Sequence, residues 1–197
     1  MAIRTKISNN SGIYFITFTC YKWLPLIKVT DAYDAVYRQF DCLKSVGHYI
    51  IGYVIMPNHI HVTVAFSNTE KSINTYMSTM KRFLAYELVK RLKQQQQTRL
   101  LPIMEEGVTA VEKRKGKLHP VFEPSFDAKP LYTDAYIVQK LAYIHKNPGS
   151  GKWQLATNPV SYPHSSAAFY YTGQQGVYQI LNYRELADMN LNMLLGS

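Results

Sequence analysis

The chain has 197 residues, 47% of them hydrophobic, which is enough to build a core in one domain. Its formal net charge of +9 argues against a cationic partner and for a polyanion, with nucleic acid first. No apolar run reaches the length of a membrane span, and no apolar leader follows Met1. The only two cysteines form no C-x-x-C, so the expected setting is the reducing cytoplasm, with no membrane partner.

In chain order, Tyr14 to Thr19 is aromatic and β-branched and predicts a first strand. Thr30 is placed to cap a helix over Asp31 to Lys44, with Val36, Phe40 and Leu43 as its apolar stripe and Gly47 at its end. Cys20, closing the strand, and Cys42, within the helix, both read as small core residues. Tyr49 to Ile55 and His59 to Phe66 predict two strands joined at the turn Met56-Pro57-Asn58. Asn68 or Thr69 then opens a helix from about Lys71 to Gln94, buried along Ile73, Met77, Met80, Leu84 and Leu88. From about 95 to 118 the chain turns polar and basic, and reads as a flexible insertion. Pro120 to Leu131 looks extended. Thr133 caps a helix from Asp134 to about Lys146, with Ile137, Leu141 and Ile144 inward, and Asn147-Pro148 ends it. Residues 171–197 read as a C-terminal extension with a helix from Tyr183 to Leu195. The order predicts an α+β fold, a ferredoxin-like sandwich with helices packed on a mainly antiparallel sheet of four to five strands.

Two places carry chemistry. In His59-Ile60-His61 the histidines alternate on a strand, so both rings project from one face while Ile60, Val62 and Val64 take the other. Such a pair suits one metal ion or one phosphate. On the helix over Asp134 to Lys146, Tyr136, Lys140, Tyr143 and Asn147 are spaced 4, 3 and 4 and share a face. A phenol, an ammonium, a second phenol and an amide form a costly set to bury without purpose. A tyrosine can attack a phosphodiester and hold the cut strand, but a phenol needs activation at neutral pH. A divalent cation, magnesium or manganese, supplies it by polarising the phosphate; two imidazoles and one amide oxygen leave positions open for phosphate and water.

These residues carry a resemblance. Pro57-Asn58-His59-Ile60-His61-Val62 resembles the His-hydrophobe-His signature of the HUH single-tyrosine transposases. Tyr143-Ile144-His145-Lys146-Asn147-Pro148 resembles the Tyr-Ile-x-x-Asn-Pro block of that superfamily's REP-associated branch, and Tyr162-Pro163-His164-Ser165-Ser166 the aromatic-x-x-Ser-Ser segment that follows it. Met80-Lys81-Arg82-Phe83 is similar to the family's Lys-rich helical block. The blocks run in order from about Tyr14 to Ser166, within a transposase domain over 1–170. Two departures are the long 94–117 segment and His164 within its block.

The resemblance implies that Tyr143 is the nucleophile and that His59, His61 and Asn147 hold the metal. It implies cleavage of single-stranded or hairpin-forming DNA to a 5′-phosphotyrosine and a free 3′-hydroxyl, by a monomer in preference to a dimer. Lys81, Arg82 and Lys140 are the candidates for phosphate contact. Two other classes compete. A histidine phosphoesterase would use His61-Val62-Thr63 and His164-Ser165-Ser166 as H-x-T and H-x-S motifs, without metal or tyrosine. A non-catalytic module would bind single-stranded nucleic acid by stacking alone, leaving the His pair and the Tyr143–Asn147 face without a role.

Overall fold

The computed structural model describes residues 7, 11–67, 71–97, 99–114, 116, 118–124 and 126–188. Strand β1 (Gly12–Thr19) is followed by a helical turn, α1 (Leu26–Val29), and by α2 (Tyr33–Lys44). The hairpin of β2 (Tyr49–Ile55) and β3 (His59–Phe66) follows, then the long α3 (Ile73–Gln94). Short helices α4 (Leu100–Glu105) and α5 (Ala110–Arg114) lead to β4 (Asp127–Pro130), α6 (Asp134–Lys146), α7 (Ala167–Thr172) and α8 (Glu185–Asp188).

The four strands form one antiparallel sheet in the order β2-β3-β1-β4. That is the split βαβ arrangement expected of a ferredoxin-like sandwich. Alternation along β1 and β3 builds two cores. Tyr14, Ile16, Phe18, Ile60, Val62 and Val64 meet α2 and α3 on one face. Phe15, Val54, Ala65 and Ile51 meet Ile137, Leu141 and Ile144 of α6 on the other. The sheet is thus covered on both sides, and β3 is buried along its whole length.

α6 sits close to β2. Gly52 follows a bulge in β2, and a Cβ there would overlap Leu141 Cδ2 and come within 3.2 Å of Ile144 Cδ1. The free edge of β2 is closed by later segments, as an exposed edge would invite pairing with another chain. Ile55 N donates to His164 O (2.8 Å), Ser166 N to Tyr53 O (2.9 Å) and Leu181 N to Ile50 O (3.1 Å). The stretch after residue 170 is therefore stitched to the sheet, with Tyr178 and Ile180 in the first core.

Several boundaries differ from the sequence reading. Thr30 does not open α2: its hydroxyl donates back to Leu26 O and closes α1, and α2 begins after Ala32 with no side-chain cap. α3 is capped by Ser72, which accepts from Thr75 N, whereas Asn68 and Thr69 lie outside the described residues. Cys42 is exposed, because Val36, Phe40 and Leu43 take the inward face of α2; Cys20 is fully buried. The 95–118 segment contains two short helices, and Met104 is buried in the first core, an anchor hidden in the sequence by the polar Gln94–Gln97 run before it. Of the helix expected from Tyr183 to Leu195, Glu185–Asp188 is helical, and 189–197 lie outside the described residues.

Candidate active site

β3 leaves the turn at Asn58 with His59 and His61 on the α6 side of the sheet, opposite Thr19 and Thr17 of β1. Their ring centroids are 4.8 Å apart, and both residues are buried. Each ring is held through Nδ1. His59 Nδ1 donates to Asn58 Oδ1 at 2.8 Å, since Asn58 Nδ2 is committed to Trp23 O. His61 Nδ1 shares a 2.8 Å hydrogen bond with Thr17 Oγ1, and the ring stacks on Phe15 at 5.3 Å. These bonds orient both rings from behind, and where Nδ1 is the donor, as at His59, Nε2 keeps the lone pair a ligand needs.

Burial keeps both imidazoles neutral, the form that donates a lone pair. His61 is lowered to about 3, by burial first and then by the charges of His59 and Lys140. His59 is also lowered by burial, against a hydrogen bond to the Asn147 side chain, which favours the protonated ring and raises it.

α6 brings the other half. Thr133 accepts from Tyr136 N and starts the helix, as its sequence predicts. Ile137, Leu141 and Ile144 then turn inward, which places Tyr136, Lys140, Tyr143 and Asn147 along the rim of the His pair. Tyr143 is 51% exposed, so its hydroxyl is open to a large substrate, yet its ring stands 5.4 Å from that of His61 and 6.0 Å from Phe15. Lys140 Nζ sits among three rings, 5.1 Å from the centroid of Phe15, 5.4 Å from Tyr136 and 5.6 Å from Tyr143. Asn147 Nδ2 donates to Tyr143 O at 3.1 Å, so its oxygen faces outward from the helix end toward His59.

The donor set is therefore two imidazoles and an amide. Among the described residues no three His, Cys, Asp or Glu side chains gather as a metal cluster. Two neutral nitrogens plus one oxygen suit an octahedral Mn²⁺ or Mg²⁺ that keeps further positions for phosphate and water, and fit the implied ion.

Not every expected residue comes to this place. Lys140 does. Lys81 and Arg82 stand on α3, across the sheet: Lys81 Nζ donates to Glu123 O, Arg82 lies over the Phe83 ring, and both line a groove of about 490 Å³ with Tyr86, Lys93, Phe122 and Glu123. His164-Ser165-Ser166 does not join the His pair either. The His164 ring stacks on Tyr33 at 3.7 Å and bonds Tyr37 Oη, while Ser166 Oγ accepts from Tyr53 N and bonds His145 Nε2. The segment is a clamp on β2, and no second histidine motif faces His61. Three residues at the site were not singled out by sequence, Phe15, Thr17 and Trp23, and Asn58, which lies in the Pro57–Val62 block, had no role assigned to it. The alternation Phe15, Thr17, Thr19 along β1 was legible, but it points at the histidines only once the β1–β3 register is known.

No family model matches the chain, and no curated protein matches it. Among solved structures, it is similar to the REP-associated tyrosine transposase bound to a REP hairpin, with a TM-score of 0.60 and 13% identity over 85% of this chain and 84% of that one. A looser likeness, with a TM-score of 0.41 and 14% identity, covers 74% of this chain and 96% of a crystal structure described as "a putative transposase from Deinococcus radiodurans R1". The antiparallel sheet and its packed helices give this chain the fold of that REP-associated tyrosine transposase.

Proposed function

We propose that this protein is a metal-dependent transposase that nicks and rejoins single-stranded DNA beside a hairpin, with Tyr143 as nucleophile. The observation that carries the reading is one exposed tyrosine set against a buried, neutral histidine pair of the same chain. The likeness in fold to a transposase solved with a DNA hairpin supports DNA as the substrate.

His59 and His61 through Nε2, and Asn147 through its amide oxygen, would hold magnesium or manganese. When bound, the ion neutralises charge that develops on the scissile phosphate. The chain's own groups do the rest. Tyr143 Oη attacks phosphorus as the phenol gives up its proton to solvent. The Oη–P bond forms, the P–O3′ bond breaks, and the departing 3′ oxygen takes a proton from water. The phosphate stays on the 5′ end of one strand as a phosphotyrosine, and attack by a 3′-hydroxyl reverses the step. Lys140, beside the Tyr143 ring, favours the anionic phosphate.

Because Tyr143 and the His pair meet within one chain, the reading requires no donated helix, and a monomer suffices. No described helix is long and apolar enough to cross a membrane. The described cysteines are free, and burial pushes Cys20 up to about 12, an inert core thiol, in keeping with a reducing cytoplasm.

The test is incubation of the protein with end-labelled hairpin oligonucleotides carrying unpaired flanks, with manganese or magnesium. A protein–DNA band that survives denaturation and disappears with chelator is the expected result. Binding without any such band favours the non-catalytic module.

A further inference from the structure

The rim of the candidate site carries one more aromatic ring, Trp23, which is 57% exposed and stands edge-on to His59 with centroids 5.7 Å apart. Its backbone is unusual. Trp23 has φ +57°, directly after Lys22 at φ +49°, ψ +28°. Two successive non-glycine residues in the left-handed region persist only where their surroundings hold them, and such residues gather at ligand clamps.

The surroundings do hold them. Lys22 N donates to Glu123 Oε1 (2.9 Å), Trp23 N to Cys20 O (3.0 Å), and Cys20 N to Asn58 O (2.8 Å). Asn58 Nδ2 donates to Trp23 O (3.2 Å) while Asn58 Oδ1 accepts from His59. One buried amide thus fixes both the indole's backbone and the imidazole beside it. The result is a large flat ring, kept in solvent, tied to a site residue, with the exposed Lys22 next to it. Packing alone gives no reason for this geometry, whereas an unpaired base stacking on the indole does.

We propose that Trp23 is a stacking platform for an unpaired base adjoining the phosphate at the His59–His61–Tyr143 site. This rests on the reading of that site as one that takes single-stranded DNA.

The test uses Tyr143→Phe protein, in which no strand can be cut, with Trp153→Phe so that Trp23 is the sole tryptophan. The probes are a hairpin oligonucleotide with an unpaired 5′ tail, the same hairpin with an unpaired 3′ tail, and the same hairpin blunt. Quenching of Trp23 fluorescence by a tailed probe but not by the blunt one is expected. In the same background Trp23→Ala should weaken binding of that tailed probe about 10- to 100-fold, the range for one stacked base, and Trp23→Phe should restore most of it. Unchanged affinity in Trp23→Ala, or no quenching by either tailed probe, overturns the proposal. The two readings fail separately: covalent adduct in otherwise wild-type protein with no Trp23 effect leaves the nuclease standing, and quenching without adduct leaves the platform standing.

Discussion

The ring of Tyr143 stands 5.4 Å from the ring of His61 although the two belong to elements 82 positions apart, a helix end and a central strand. Nothing local holds them together. Their separation is set by how α6 seats on the sheet, and that seating runs through Gly52, Leu141 and Ile144.

Gly52→Ala should therefore act on both stability and activity. The added methyl overlaps the Leu141 side chain, which is itself buried, so either that side chain leaves its rotamer or the helix shifts outward. A loss of about 1–3 kcal/mol is expected, the usual cost of overpacking, with slower adduct formation. Urea denaturation checks the first and a time course the second.

Ser166 lies at the other anchor of α6. Its hydroxyl bonds His145 Nε2 at 2.9 Å and accepts from Tyr53 N at 3.0 Å, all three residues being buried. Ser166→Ala leaves a buried imidazole and a backbone N–H without this partner. The expected cost is about 1–3 kcal/mol, read as a lower urea midpoint with unchanged slope. Faster hydrogen exchange at Tyr53 N would locate the change at the β2 edge.

Acid should weaken the fold through its buried histidines. Burial holds His48 and His145 at about 4, whereas in the unfolded chain a histidine titrates at about 6.5. Between those values the unfolded chain binds protons that the folded chain refuses, so stability is full above about pH 6.5 and is lost as pH falls toward 4. The two together should remove about 4 kcal/mol between neutral pH and about pH 5. Denaturation midpoints at neutral pH and near pH 5 measure it, and equal midpoints would contradict it.

Lys140 tests the electrostatics of the rim. Lys140→Gln keeps a long polar side chain but removes the cation beside Tyr143. Adduct formation should slow about 10- to 100-fold, somewhat less than for loss of a direct oxyanion donor, and Lys140→Arg should recover most of it. A larger effect on DNA affinity than on the rate of the bound complex would assign Lys140 to phosphate binding instead.

Much of this was legible in the residues, for stated reasons. The strands of the hairpin end where the β-branched runs end, and Thr133 with the 3.6 period placed α6. His59 and His61 share a face because strands alternate. What the sequence could not give was which neighbour each face meets. Thr17 and Phe15 lie behind His61 because β1 pairs with β3, a contact between residues 44 and more positions apart. Lys81 and Arg82, the other candidates for phosphate contact, stand away from the His pair because α3 packs on the other face of the sheet. Ser165 and Ser166 read as chemistry and serve as fasteners, because the free edge of β2 needs hydrogen-bond partners.

The central claim is that Tyr143 becomes bonded to DNA. The most direct measurement is protease digestion of the gel-purified adduct, formed with manganese and a tailed hairpin oligonucleotide, followed by mass spectrometry of the modified peptide. The account predicts a nucleotide phosphate on Tyr143 and no adduct from Tyr143→Phe or His59→Ala protein. A phosphate mapped to Tyr136 or to a histidine, or an adduct undiminished in Tyr143→Phe, would contradict it.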